Sequence, residues 1–140
     1  MLKQLQAIVG ADHVSDDPDA CDLATSDIFE WPGRKSALLV ASPRTTDETS
    51  AILRVLRAGH IPVIARGAGL SYTGTFAMPQ APVVVDTSRM NDISVNAPDR
   101  CATVGAGDVG IACSGTIGET ASAGAGGEGG KAGETSTARR

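Results

Sequence analysis

The sequence predicts an α/β (α+β) fold, a small parallel βαβ-based sheet with flanking helices. Three observations carry this. Two short apolar runs, Ala37–Ala41 (ALLVA) and Ile61–Ala65 (IPVIA), bracket a segment whose apolar residues recur at helical spacing. A third run, Val83-Val84-Val85, follows and ends at Asp86. Continuous apolar runs suit strands covered on both faces, which is how parallel sheets are built.

Taken in order, Leu2, Leu5, Ile8 and Val9 lie on one side of a short amphipathic helix. Residues 15–35 are polar, hold Pro18 and Pro32, and read as a wrapping loop with Trp31 as its packing anchor. The strand at 37–41 is stopped by Pro43. Thr45 then caps a helix, and Glu48, three residues on, completes a capping box. Ile52, Val55 and Leu56 share one face of that helix, and Gly59 stands where a C-terminal glycine is expected. Ile61–Ala65 is the second strand, so residues 37–65 form the βαβ unit, and Val83–Asp86 is the third. Residues 92–96 and 101–104 make a later pair, turned at Ala97-Pro98-Asp99.

The last part of the chain has a different composition. Of 17 glycines, 11 lie from Gly105 onward, and no Val, Leu, Ile, Met or aromatic residue follows Ile117. Burial of apolar surface is what offsets chain entropy, and residues 118–140 have little to bury. The expected division is a folded domain over 1–113 and a Gly-rich disordered tail over 114–140.

Composition narrows the function. With 12 basic and 16 acidic residues the net charge is −4, which draws the chain to neither nucleic acid nor anionic membrane. Four aromatics (Phe29, Trp31, Tyr72, Phe76) are too few for a base-stacking surface. Cys21, Cys101 and Cys113 show no CxxC spacing and read as reduced thiols, consistent with a cytoplasmic protein. No apolar run is long enough for a signal peptide or a membrane span. His13 and His60 stand alone, and the aspartates between Asp12 and Asp22 lack a calcium-loop pattern, so no metal site is expected. Ser71 has no partner base that would make it a nucleophile.

The chemistry concentrates in RGAGLSYTGT, residues 66–75, directly after a strand. Open α/β sheets bind ligands at the carboxyl ends of their strands. A P-loop would need lysine where Thr75 stands, and a Rossmann turn would need glycine where Tyr72 stands. A GxGxxG match at Gly105–Gly110 lacks the following helix and acidic strand end. What remains is a chain of backbone N–H groups that can approach an anion closely, with Ser71, Thr73 and Thr75 as added donors. From the residues alone, an anion cradle and an ordinary glycine-rich turn are both open.

The stretch ASPRTTDETSAILRVLRAGHIPVIARGAGLSYTGTFAMPQAPVVVDTSRMNDI resembles the start of the FAD-binding (PCMH-type) domain of the vanillyl-alcohol oxidase superfamily. The resemblance is to its FAD-linked oxidases, which include glycolate oxidase subunits and D-lactate dehydrogenases. The matching features are IPVxxRGxGxSxxG, then VVVDxSRMN, then ATVGAG, over roughly residues 37–107. The resemblance implies that the loop's backbone amides hold the FAD pyrophosphate, which places Gly67, Ala68, Gly69, Leu70, Ser71, Gly74 and Thr75 at the cofactor. Asp86, Arg89 and Asn91 match a segment taken as structural. Thr75 departs from the pattern, which more often has glycine there.

Some members of the superfamily bond flavin to a histidine in this loop, and that position is Leu70 here. Leucine has no nucleophilic atom, so FAD is expected to be held non-covalently. The implied activity is oxidation of a small-molecule 2-hydroxy acid or other alcohol, with hydride transfer to FAD. No catalytic residue is assigned. The family continues past Gly107 with a second glycine-rich FAD segment and a substrate domain, whereas this sequence turns to GDVGIACSGTIGETASAGAGGEGG. The chain thus reads as the first subdomain of a two-part FAD module, truncated or frame-shifted. The competing reading is an inactive orphan fragment, or a small non-catalytic subunit that needs a partner chain for the missing half of the site.

Overall fold

In the computed structural model, the described residues are 1–28, 31–69, 71, 73–96, 98, 99 and 101–108, with the backbone of 136–138. They divide into two units, residues 1–89 and 90–140.

The first unit opens with helix α1 (Leu2–Val9), which turns Leu5 and Val9 into the core as its apolar spacing predicts. A short strand, β1 (Val14–Ser15), follows. The region expected to be only a wrapping loop contains a second helix, α2 (Pro18–Ala24). Its cause is local. The Asp17 carboxylate accepts the Ala20 N–H at 2.9 Å, Pro18 opens the first turn, and Cys21 and Ala24 are buried.

Strand β2 (Leu39–Ala41) leads to helix α3 (Thr46–Ala58). The Thr45 hydroxyl accepts the Glu48 N–H at 3.1 Å. Glu48 reaches back one residue further than in the usual box and accepts the Arg44 N–H at 2.7 Å. At the other end Gly59 is not the left-handed residue. Its φ is −89°, while His60 has φ +51° and donates its N–H to Arg57, with the Ile61 N–H bonding the Leu56 carbonyl. This is the Schellman arrangement with histidine in the position that favours glycine. Gly59 serves space instead: a Cβ there would stand 3.1 Å from the Ile61 side chain.

Strands β3 (Val63–Arg66) and β4 (Val83–Asp86) complete a sheet ordered β1-β2-β4-β3. The βαβ strands β2 and β3 both run parallel to β4, which lies between them and registers Val83–Val85 against Leu39–Ala41 and Val63–Ala65. Both faces of β4 are buried. Val83 and Val85 pack with Leu5, Val9, Ile52 and Leu56 of α1 and α3, while Val84 packs with Cys21, Ala24, Ile64 and Phe76 on the α2 side. Alternation along β3 accordingly sends Ile64 to the α2 face, and with it Arg66.

After β4 the Asp86 carboxylate accepts the Ser88 N–H at 2.9 Å and its hydroxyl at 3.0 Å, and Arg89 donates to the Ser42 carbonyl at 2.7 Å. These contacts give Asp86 and Arg89 structural work.

In the second unit, β5 (Ile93–Asn96) and β6 (Cys101–Val104) pair antiparallel as expected. Asn96 and Asp99 close their turn through two hydrogen bonds of 2.7 and 3.3 Å. Gly105 donates to the Asp92 carbonyl and Gly107 to that of Met90, and a Cβ on Gly105 would collide with the Met90 carbonyl. Close backbone approach, rather than a dinucleotide turn, accounts for Gly105. Most of the tail expected over 114–140 lies outside the described residues. Within it Ser136–Ala138 form a strand, β7, antiparallel to the free edge of β5.

Candidate functional site

The chain leaves β3 at Arg66 and enters the glycine loop. Gly69 (φ +75°) and Gly74 (φ +69°) both take left-handed backbone, which a Cβ resists. Gly67, Ala68, Gly69, Ser71, Thr73 and Thr75 line one side of a cleft of about 510 Å³, with Ala65 and Phe76 completing its wall. Five of the seven residues expected at the cofactor therefore share one concave surface. Leu70 lies outside the described residues, and Gly74 stands at the loop's far end.

The cleft gathers neutral hydrogen-bonding groups. The Thr75 hydroxyl lies 2.9 Å from that of Ser71 and 2.9 Å from that of Thr73, so three neutral donors meet at one point. Thr75 thereby joins the cluster through the side chain that departs from the glycine pattern. Each hydroxyl rotates, so the cluster can turn its O–H groups from one another to an incoming oxyanion.

Behind the loop stand residues that the sequence left without a role. The Arg66 guanidinium donates to the Ala24 carbonyl at 2.8 Å and the Ser26 carbonyl at 3.0 Å, at the C-terminal end of α2 where a cation is favoured. It also lies over the Phe76 ring, 4.7 Å from its centroid. The loop folds back on it: a Cβ at Gly69 would come within 2.6 Å of Nη2 and 2.8 Å of Nε. At the other end the Asp27 carboxylate accepts the Gly74 N–H at 2.9 Å and the Ile28 N–H at 2.6 Å. Desolvation raises the Asp27 pKa, but bonds from the Ser71 hydroxyl and the Ile28 and Gly74 amides, with the Arg66 charge, hold it below the ordinary carboxylate value. Trp31 is half exposed, and its ring edge faces Gly74, where an added Cβ would lie 3.2 Å away. The signal for Arg66 was present in the sequence, as a lone charge ending an apolar strand. Asp27 carried none, because its partner lies 47 residues away.

The segment before β2 is fastened separately. Arg34 pairs with both Asp22 carboxylate oxygens at 2.9 and 3.2 Å and donates to the buried Thr25 hydroxyl at 2.8 Å, and Ser36 donates to Asp22 at 2.6 Å. Hydrogen bonds from Arg34 and then Ser36 hold the Asp22 carboxyl below its ordinary value. Burial, with Asp17 and Asp16 nearby, raises the Cys21 thiol, which keeps it neutral. Among the described residues no group of three His, Cys, Asp or Glu could hold a metal, and no helix is long and apolar enough to cross a membrane.

A family model described as an FAD binding domain matches residues 37–114. A D-lactate dehydrogenase from Archaeoglobus fulgidus is 33% identical over 76 residues, 54% of this chain and 17% of that protein. The structure of 4-ethylphenol oxidase from Gulosibacter chungangensis, in its isoeugenol complex, has a TM-score of 0.73 at 19% identity, covering 86% of this chain and 24% of that one. The structure of p-cresol methylhydroxylase with substrate bound has a TM-score of 0.72 at 19% identity, with the same coverages of 86% and 24%. These two share the fold. The chain spans a quarter or less of the length of each of these relatives.

Proposed function

The chain belongs to the FAD binding domain family, and from that premise we propose that its loop 67–75 holds the pyrophosphate of a non-covalently bound FAD in an oxidoreductase. The observation that carries this is the cleft at the end of β3, where glycine backbone and the clustered hydroxyls of Ser71, Thr73 and Thr75 face one space. The residues fit the group. Gly67 and Gly69 remove the side chains that would keep phosphate from the backbone, and the hydroxyls add donors without adding charge. Leu70 offers no atom for a covalent link, so retention rests on hydrogen bonds, electrostatics and packing.

Bound FAD would supply a two-electron acceptor for hydride from the carbon that carries the substrate hydroxyl. This chain's part is to bind and orient the cofactor. The 2-hydroxy acid class, or another alcohol, is favoured because the matching D-lactate dehydrogenase is named for such a substrate. A second reading is favoured by the lining of the cleft, which comes from residues 65–76 alone: this chain forms one wall of the cofactor site, and a partner chain supplies the other.

The test is a titration of the purified chain with FAD, followed by flavin absorbance and fluorescence after removal of free cofactor. Flavin retained after removal of free cofactor is expected under the first reading. Flavin that binds but is lost on removal of free cofactor supports the second. Absence of any binding overturns both.

A further inference from the structure

We propose that residues 24–27 fasten the glycine loop from behind, and that Asp27 is a positioning residue for anion binding in the cleft. This rests on the reading of the cleft as a pyrophosphate site. Three residues of this short segment, Ala24, Ser26 and Asp27, secure both ends of the loop. The carbonyls of Ala24 and Ser26 hold Arg66 at the loop's start, at 2.8 and 3.0 Å. The Asp27 carboxylate holds the Gly74 N–H at its end, at 2.9 Å.

The placement decides between two roles for a carboxylate beside an anion site. A carboxylate inside the cleft would repel phosphate and compete for its donors. Asp27 and Gly74 are not among the residues that line the cleft, and both oxygens of the carboxylate are engaged by backbone, one accepting the Gly74 N–H and the other the Ile28 N–H. Gly74 holds φ +69°, one of several conformations open to glycine, and the bond to Asp27 selects it. Anchoring also reaches the donors along the loop, since Thr75 follows Gly74 and its hydroxyl lies 2.9 Å from those of Ser71 and Thr73. Free glycine backbone would have to be ordered at the moment of binding, and fastening it beforehand removes that cost from the affinity.

The experiment uses the full chain with Asp27→Ala and Asp27→Asn, read by FAD titration and by amide hydrogen exchange without ligand. In Asp27→Ala, loss of one charge-assisted bond to Gly74 should weaken FAD binding about tenfold. The Gly74 amide should exchange about tenfold faster, with the core strands unchanged. Asp27→Asn keeps an acceptor oxygen and should recover most of both losses, which a merely global loss of stability would not predict.

Unchanged Gly74 exchange in Asp27→Ala would overturn the clamp. Faster exchange with unaltered FAD affinity would overturn the positioning role. Tighter binding by Asp27→Asn than by the parent would mean that the carboxylate repels the ligand, again against the proposal. If the parent chain binds no FAD, the pyrophosphate reading and the positioning role fail together, while Gly74 exchange still decides the clamp.

Discussion

Replacing Gly69 by valine tests the cradle at its most constrained point. Gly69 has φ +75°, and left-handed backbone costs an L-residue about 1–2 kcal/mol, with a β-branched residue at the upper end. Space adds a second cost. The new Cβ would lie 2.6 Å from Arg66 Nη2, 2.8 Å from Nε and 2.9 Å from Cζ, so the guanidinium must move. Moving it weakens the stacking on Phe76, worth about 0.5–1 kcal/mol, and the bonds to Ala24 and Ser26, worth about 1.5 kcal/mol or more each. The flexible Arg66 side chain can shift and keep part of these contacts, so with the backbone cost a total of roughly 3 kcal/mol falls on the bound loop conformation, which corresponds to FAD binding weaker by about 100-fold.

The assay is fluorescence titration with FAD, with thermal unfolding recorded alongside. Gly33→Ala is the control. It has φ +86° but open space around its Cβ, and lies outside the loop, so it should lose some stability and keep its affinity. Equal FAD affinity in Gly69→Val and the parent would remove this loop from the site.

His60→Gly should raise stability by about 0.5–1 kcal/mol, measured by urea unfolding, because His60 holds φ +51° at the helix end and glycine does so without strain. Leu56→Ala should lower it by about 2–5 kcal/mol in the same assay, since Leu56 is fully buried between α3 and the sheet. Asp22 has its carboxyl pKa lowered from 3.8, so its stabilising effect is present above that value and fades as pH falls toward the folded pKa. Asp22→Asn should therefore lower the melting temperature at pH 7, and the gap to the parent should close near the acid end of a pH series. Acid precipitation of the FAD-loaded protein should release flavin to the supernatant, and flavin that migrates with the denatured polypeptide would contradict non-covalent retention.

Local pattern carried most of the architecture. The apolar period of Leu2–Val9, the Thr45–Glu48 capping pair and the three apolar runs act within a few residues, so α1, α3, β2, β3 and β4 were legible before any coordinates. The glycine loop was legible for the same reason, since spacing alone shows where backbone is bare. Helix α2 was also written locally, in Asp17-Pro18, but its polar surface hid it. Pairing across the chain was not legible. Nothing local says that β4 inserts between β2 and β3, because register depends on which apolar faces meet in the core. Nor could Asp27 be matched to Gly74, or Arg66 to Ala24, across separations of 47 and 42 residues. The loop's bare backbone and hydroxyls can be read from residue order. Its bracing emerges only when the chain is folded, because hydrogen bonds between distant segments leave no periodic trace in either one.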